Sequence, residues 1–296
     1  MPEVFAYDGD LSNDAGVAYM FLEYIHGTTA EEHRWKQDSA LAAYGTPAQD
    51  KKFRQQMAKI HAEVLSFKFP LIGSLYYSRE TSSFHIGPEM NTGRGPWATS
   101  TEYYRDLTDW LLQKAATKGH KTTKEGPSFA LPVLLNHLMS VHGEERAGPF
   151  RLINRDFGAH NILVDDDFNI VGIVDFDGVG TGPIEAAAQY PVLSSMDPEP
   201  PGVVNDNAAF LARIERTRPK MEHYKACLKR YEAELGDGSA PVASRLDSTA
   251  ALVFLGMLRC DGLIASDMDQ WFTAALGLLR DHAKSQGGPE EPAAQT

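Results

Sequence analysis

The chain has 296 residues, 43% hydrophobic and 23% charged, which are values of a globular protein able to bury a sizeable core as one large domain or two small ones. Its formal net charge of −12 argues against nucleic acid as a partner, because neutralising phosphates needs clustered Lys and Arg. A cationic small-molecule substrate would suit an acidic cleft, while plain solubility explains the same charge. The two cysteines, Cys227 and Cys260, form neither a disulfide framework nor a metal-binding spacing. The N-terminus, MPEVFAYDGD, lacks the basic and apolar parts of a signal peptide. The longest apolar stretch, residues 250–258, is too short to span a bilayer. A cytoplasmic protein without a membrane partner is expected.

In chain order, residues 3–8 (EVFAYD) and 17–25 (VAYMFLEYI) read as two strands joined by the polar loop DGDLSND, and Gly27 breaks the second. Over residues 51–67 the positions Phe53, Met57, Ile60, Val64 and Phe67 recur at helical spacing and predict an amphipathic helix, with His61 as a structural histidine beside its apolar face. Residues 74–88 (SLYYSRETSSFHIGP) predict a β-hairpin. In the Gly/Pro-rich loop that follows, Arg94 reads as a solvated side chain, with a phosphate contact as the alternative. Tyr103, Leu107, Trp110 and Leu111 mark a second helix. A third, over residues 129–142, is apolar on most sides and should be central to the core. Residues 214–235, 246–264 and 268–282 predict three more helices, and the Pro/Gly-rich tail from Lys284 should be disordered.

The chemistry is concentrated in residues 150–183, FRLINRDFGAHNILVDDDFNIVGIVDFDGVGTGP. Residues 162–164 and 170–174 read as buried strands, and Asp165-Asp166-Asp167 supplies the turn between them. Asp156 and Asn161 then lie on the loop into this hairpin and Asp175 on the loop out of it, which gathers two carboxylates and an amide oxygen at one end of a small sheet. Phosphoryl transfer from a nucleotide asks for such a group. One carboxylate orients the attacking hydroxyl and accepts its proton, and oxygen ligands hold the magnesium that neutralises the phosphates. The order Asp-x-x-x-x-Asn, hairpin, Asp is that of the kinase catalytic and metal-binding loops. Each part alone is common in loops; the spacing together with GIVDFDG carries the signal. The three side chains are expected to converge at one cleft. After Asp175 the run GVGTGP reads as a flexible segment able to approach a ligand closely, without the pattern of a phosphate loop.

This stretch, together with FAYDGDLSNDAGVAYMFLEYIHGT, SLYYSRETSSFHIGP, GPWATSTEYYRDL and AAAQYP, resembles the aminoglycoside phosphotransferase and choline kinase branch of the kinase-like superfamily over nearly the whole chain. The resemblance implies an α+β, protein-kinase-like fold with a mostly helical C-terminal lobe over residues 28–283. Residues 1–27 would be a remnant of the N-terminal β lobe and the hinge, and 284–296 the disordered tail. It implies ATP as co-substrate and Mg2+ as cofactor. Asp156 would be the catalytic base, and Asn161 and Asp175 the magnesium ligands. Backbone groups of Glu23 and Ile25 would meet the adenine edge, with Leu22 lining the pocket behind. Asp261, Asp267 and Asp269 are candidates for contacting a cationic acceptor, with solvated helix ends as the alternative.

Two features depart from the family pattern. Asn154 stands where the family usually has a histidine. The chain also has no G-x-G-x-x-G, and its first lysine, Lys36, lies beyond the hinge, so the nucleotide lid and the phosphate-anchoring lysine are lacking. A truncated N-terminus, with an upstream exon supplying those parts, and weak binding of ATP-magnesium by the chain as given are therefore expected. The leading expectation is an ATP-dependent phosphotransferase acting on a small-molecule hydroxyl. The alternatives are a pseudokinase or binding protein, an incomplete gene model of an active kinase and, for want of a His-rich ligand set less well supported, a metal-dependent hydrolase.

Overall fold

The computed structural model describes residues 1–37, 43–78, 80–117, 125–194, 196, 198, 208–236, 241–260 and 265–286. Strands β1 (Val4–Asp8) and β2 (Tyr19–Leu22) pair antiparallel as a two-stranded sheet. Strand β3 (Thr28–Thr29) runs straight into helix α1 (Ala30–Gln37), where Thr29 Oγ1 accepts the Glu32 N–H at 3.2 Å. Helix α2 (Pro47–Ser66) starts in a capping box. Thr46 Oγ1 accepts the Gln49 N–H, Gln49 Oε1 accepts the Thr46 N–H, and Pro47 stands at the first helical position, where no N–H is needed.

Strands β4 (Lys68–Phe69), β5 (Gly73–Ser78) and β6 (Ser83–Gly87) precede helices α3 (Ser100–Thr117) and α4 (Glu125–His142). Then come β7 (Phe150–Asn154), the hairpin β8 (Ile162–Val164) and β9 (Ile170–Ile173), and β10 (Val179–Gly182). Four helices finish the described chain: α5 (Ile184–Ala187), α6 (Ala208–Leu235), α7 (Thr249–Arg259) and α8 (Ala265–Ser285). The larger sheet has the order β4-β7-β10-β5-β6, and a three-stranded sheet has the order β3-β8-β9. Helix α2 packs on α6 and on β7, and α4 is enclosed by α3, α7 and α8. One core runs through these layers, from Phe53, Met57 and Leu65 of α2 through Leu131, Leu135 and Leu138 of α4 to Phe254 and Met257 of α7.

The strands and helices expected from hydrophobic period are present, with some differences. Phe67 is not on the buried face of α2; it follows the helix in extended conformation and is 59% exposed. In β9 only one face is covered, since Val171 is 40% exposed. Helix α4 likewise turns Val133 to solvent. The run GVGTGP is not a flexible ligand-facing segment. Its residues 179–182 form β10, paired on both edges, with β7 and β5. A Cβ on Gly180 would stand 2.5 Å from the Gly73 carbonyl oxygen, so glycine here allows two backbones to approach. Buried Thr181 fastens the same place, its hydroxyl donating to the Leu71 carbonyl at 2.7 Å and accepting the Gly73 N–H at 3.1 Å. Helix α8 continues through Lys284 to Ser285, into the expected tail, whose residues 287–296 lie outside those described. Among the described residues no helix is long and apolar enough to cross a membrane.

Candidate active site

Strand β7 delivers the chain to Asn154 at the edge of the cleft, and a turn, then a 3-10 turn over Ala159–Asn161, carries it into β8. Within this loop Asp156 and Asn161 are in contact. Asn161 Nδ2 donates to Asp156 Oδ2 at 3.0 Å and to the Asp156 carbonyl at 3.1 Å. Asn161 is buried, whereas the Asp156 side chain is about half exposed, so the carboxylate is held from behind and open to the cleft in front. With its amide nitrogen turned to Asp156, Asn161 has no described partner for its Oδ1. Asp175 is reached along the hairpin. The Val174 N–H donates to the Asn161 carbonyl at 3.0 Å, one step beyond the Ile162–Ile173 pair, so Asp175 follows directly after the residue bonded to Asn161. The loop with Asp175 also closes on the loop with Asp156. The Arg155 N–H donates to the Gly178 carbonyl at 3.2 Å, and a Cβ on Gly178 would come within 3.2 Å of the Asp156 nitrogen and of Asn154 Oδ1.

Asp175 has φ of +60°, a left-handed conformation that Asp adopts more readily than most residues but still at a cost. Its Oδ1 accepts the Asp177 N–H at 3.2 Å, and its side chain is exposed. Asn161 and Asp175 thus offer one amide oxygen and one carboxylate. That set fits magnesium, which is commonly held by one or two carboxylates while phosphates and water complete its shell. Among the described residues there is no cluster of three or more His, Cys, Asp and Glu side chains able to hold a metal.

Three neighbours of the site were not singled out in the sequence. His160 Nε2 lies 3.0 Å from Asp156 Oδ1, so both carboxylate oxygens have a partner within the loop. The ring stacks over Gly158, where a Cβ would clash with it at 2.6 Å. Arg155 pairs with Glu89 from the loop after β6 and reaches the Tyr103 hydroxyl at 3.3 Å, tying the catalytic loop to α3. Glu185 is buried and accepts from the Tyr104 hydroxyl at 2.5 Å and the Glu144 N–H at 2.9 Å. Burial, and then the Glu185 carboxylate, push the Tyr104 hydroxyl well above its ordinary pKa. Asn154, the departure from the family's histidine, caps the loop instead, its Oδ1 accepting the Asp156 N–H at 3.0 Å. An Asn two residues before the turn is the one signal that could have foretold this.

Of the expected adenine-side residues, Ile25 lies near the β8–β9 hairpin. Ile25 packs over it, its Cδ1 2.8 Å from where a Cβ on Gly172 would be, and a Cβ on Gly27 would meet Val171 and the Val164 carbonyl. The Glu23 N–H donates to the Glu3 carbonyl at 2.8 Å, which leaves its own carbonyl as the group it can present. Leu22 is the last residue of β2 and 44% exposed. Arg94 is neither solvated nor turned to a phosphate. It pairs with Asp106 Oδ1 at 2.6 Å and with Gln113 Oε1 at 2.7 Å, which fastens its loop to α3. His61 is the structural histidine expected, 2.9 Å from the Tyr224 hydroxyl, and burial pushes its pKa down to about 4. Of the acidic candidates for a cationic acceptor, Asp269 lies on α8, while the side chains of Asp261 and Asp267 lie outside the described residues. A cavity of about 590 Å³ opens beside the β7–β8 loop, lined by Asn154, Arg155, Phe157 and His160 on either side of Asp156 in sequence, while Asp156, Asn161 and Asp175 are not among its lining residues.

Parts of the chain are similar to known proteins. The chain is 31% identical over 88 residues to a subtelomeric hrmA-associated cluster protein of Aspergillus fumigatus, a match covering 30% of this chain and 16% of that protein. It is 29% identical over 107 residues to altered inheritance of mitochondria protein 9, mitochondrial, of Meyerozyma guilliermondii, covering 33% of this chain and 16% of the relative. The chain therefore matches only 16% of the length of either curated relative. A family model described as the phosphotransferase enzyme family matches residues 1–186, from β1 through the catalytic loop, Asp175 and β10 into α5. With well over half of its length so matched, the chain belongs to the phosphotransferase enzyme family.

Proposed function

We propose that the chain is an ATP-dependent phosphotransferase that moves the γ-phosphoryl group to a hydroxyl of a small molecule, on a kinase-like architecture. Residues 1–27 serve as the small-lobe side and hinge, and residues 28–283 as the larger lobe. The observation that carries the reading is the contact of Asp156 with Asn161, joined through the Val174–Asn161 hydrogen bond to the start of the Asp175 loop. In the transfer, an O–P bond forms between the acceptor oxygen and the γ-phosphorus. The bond from that phosphorus to the β,γ-bridging oxygen breaks, ADP leaves, and the hydroxyl proton goes to Asp156. Asn161 and Asp175 would hold magnesium, which supplies charge neutralisation for the phosphates. Asn154, Asn161 and His160 fix the backbone and both oxygens of Asp156, so the base is oriented before the acceptor arrives. Glu23, Ile25 and Leu22 form the adenine side.

A binding protein that keeps this lobe without turnover is the second reading, and one observation favours it: each Asp156 oxygen already accepts or meets a partner within its own loop. The deciding experiment is an ADP-release assay with ATP-magnesium and a panel of small alcohols, run on the parent chain and on Asp156→Asn. Turnover is expected to fall by at least ~10²-fold in the variant, since the amide keeps the shape but cannot take the proton. Equal turnover in the two proteins would make Asp156 structural, and no turnover in either would favour the binding protein.

A further inference from the structure

The cavity beside Asp156 is walled by apolar side chains from separate elements: Ile153 of β7, Phe157 of the catalytic loop, Val192 and Leu193 after α5, and Leu255 and Leu258 of α7. Several polar groups on the wall are already engaged within the protein. The Tyr190 hydroxyl donates to Asp247 Oδ2 at 2.8 Å, and Gln189 Nε2 donates to the carbonyls of Glu185 and Ala251 at 2.7 and 3.0 Å. His61 is bonded to Tyr224 and Arg155 to Glu89. Among the described wall residues Glu31 is the single carboxylate. A substrate with several ammonium groups would lose its hydration there and find one carboxylate on the described wall to replace it.

Resting on the reading of Asp156 as the base of a phosphotransferase, we propose that this cavity holds the acceptor, and that the acceptor is an uncharged alcohol with an apolar aromatic or aliphatic body. Its hydroxyl is directed to Asp156 along the wall formed by Asn154, Phe157 and His160. The cavity volume is that of a site for one small molecule, and apolar contact supplies most of the affinity. The acidic character of the whole chain is thus a property of its surface, not of this wall.

Two probes separate the substrate classes: 2-naphthylethanol, an apolar aromatic alcohol, and kanamycin, a polyamine sugar. Each is titrated calorimetrically, without nucleotide, into the parent chain, Leu258→Trp and Val192→Trp. Leu258 and Val192 are 38% and 61% exposed, so tryptophan at either position can fill the mouth without entering the core, and circular dichroism checks that each variant folds. The alcohol is expected to bind the parent at least ~10-fold more tightly than kanamycin, and each folded tryptophan variant to weaken it by at least ~10-fold, as overpacking a filled site does. Tighter binding of kanamycin overturns the proposal. So does alcohol binding that neither tryptophan alters, which would place the alcohol on another apolar surface such as the β1–β2 hairpin. Because no nucleotide is present, these outcomes stand apart from the turnover assay, whose failure would remove the chemistry and not the binding class.

Discussion

Two hairpins of this chain are made of similar residues and stand in opposite surroundings. In β1–β2, Phe5 is 64% exposed, Phe21 61% and Met20 58%, so both faces of the ribbon meet solvent. In β8–β9, Ile162 is fully buried, Val164 is 2% exposed, and Phe168 in the turn packs against Tyr44 and Phe53. Apolar alternation makes both segments strands, yet only the second has a third strand, β3, on its edge and helix α2 beneath its turn. The site is built on the covered hairpin. Asn161 can hold Asp156 in place because Asn161 itself is buried and tied to the β8–β9 ladder, whereas the expected adenine-side residues sit at the end of the uncovered ribbon.

Paired truncations give the largest test of this contrast. Ile162→Ala should destabilise the protein by about 2–5 kcal/mol, while Phe5→Ala should stay within about 0.5 kcal/mol, both read from denaturant midpoints at constant slope. Comparable losses in the two variants would mean that β1–β2 packs on something in solution, and the contrast would fail.

Glycine substitutions sharpen it at the next level. Gly180→Ala puts a methyl group 2.5 Å from the Gly73 carbonyl oxygen in the middle of the larger sheet and should cost roughly 1–3 kcal/mol. Gly9→Ala, in the β1–β2 loop with nothing within 4 Å, should be neutral within about 0.5 kcal/mol, both read from the same denaturant midpoints. A neutral Gly180→Ala would show that β10 is free to shift away from β5.

The smallest effect depends on pH. Burial keeps His61 neutral, with a folded pKa of about 4 against 6.5 when exposed. Between those values the unfolded chain binds the extra proton, so stability is complete above pH 6.5 and declines as pH falls through the window towards 4. By about pH 5 the loss attributable to His61 should be roughly 1–2 kcal/mol, and His61→Gln, which keeps a partner for the Tyr224 hydroxyl, should flatten that limb of the stability curve. An unchanged limb in the variant would assign the acid sensitivity to the carboxylates instead.

Much of the site could be read in one dimension. Asp156, Asn161 and Asp175 lie within twenty residues of one another, and a hairpin between them is enough to bring the loops at its ends together. The amphipathic helices were legible for the same reason, since a period of 3.6 or 2 is a local property of the chain. What only the tertiary structure decided depends on partners distant in sequence. Residues 179–182 have too much glycine to announce a strand, and they become one because β5 and β7 offer hydrogen bonds on both edges. Arg94, solvated by expectation, is fixed by Asp106 and Gln113, and the reach of a long flexible side chain is not encoded by its neighbours. The wall of the cavity is the clearest instance. It joins β7, the β7–β8 loop, the segment after α5, and α7, a hundred residues apart, and it carries a single described carboxylate in a chain of net charge −12, because folding sorts side chains by position and the sum over the sequence does not.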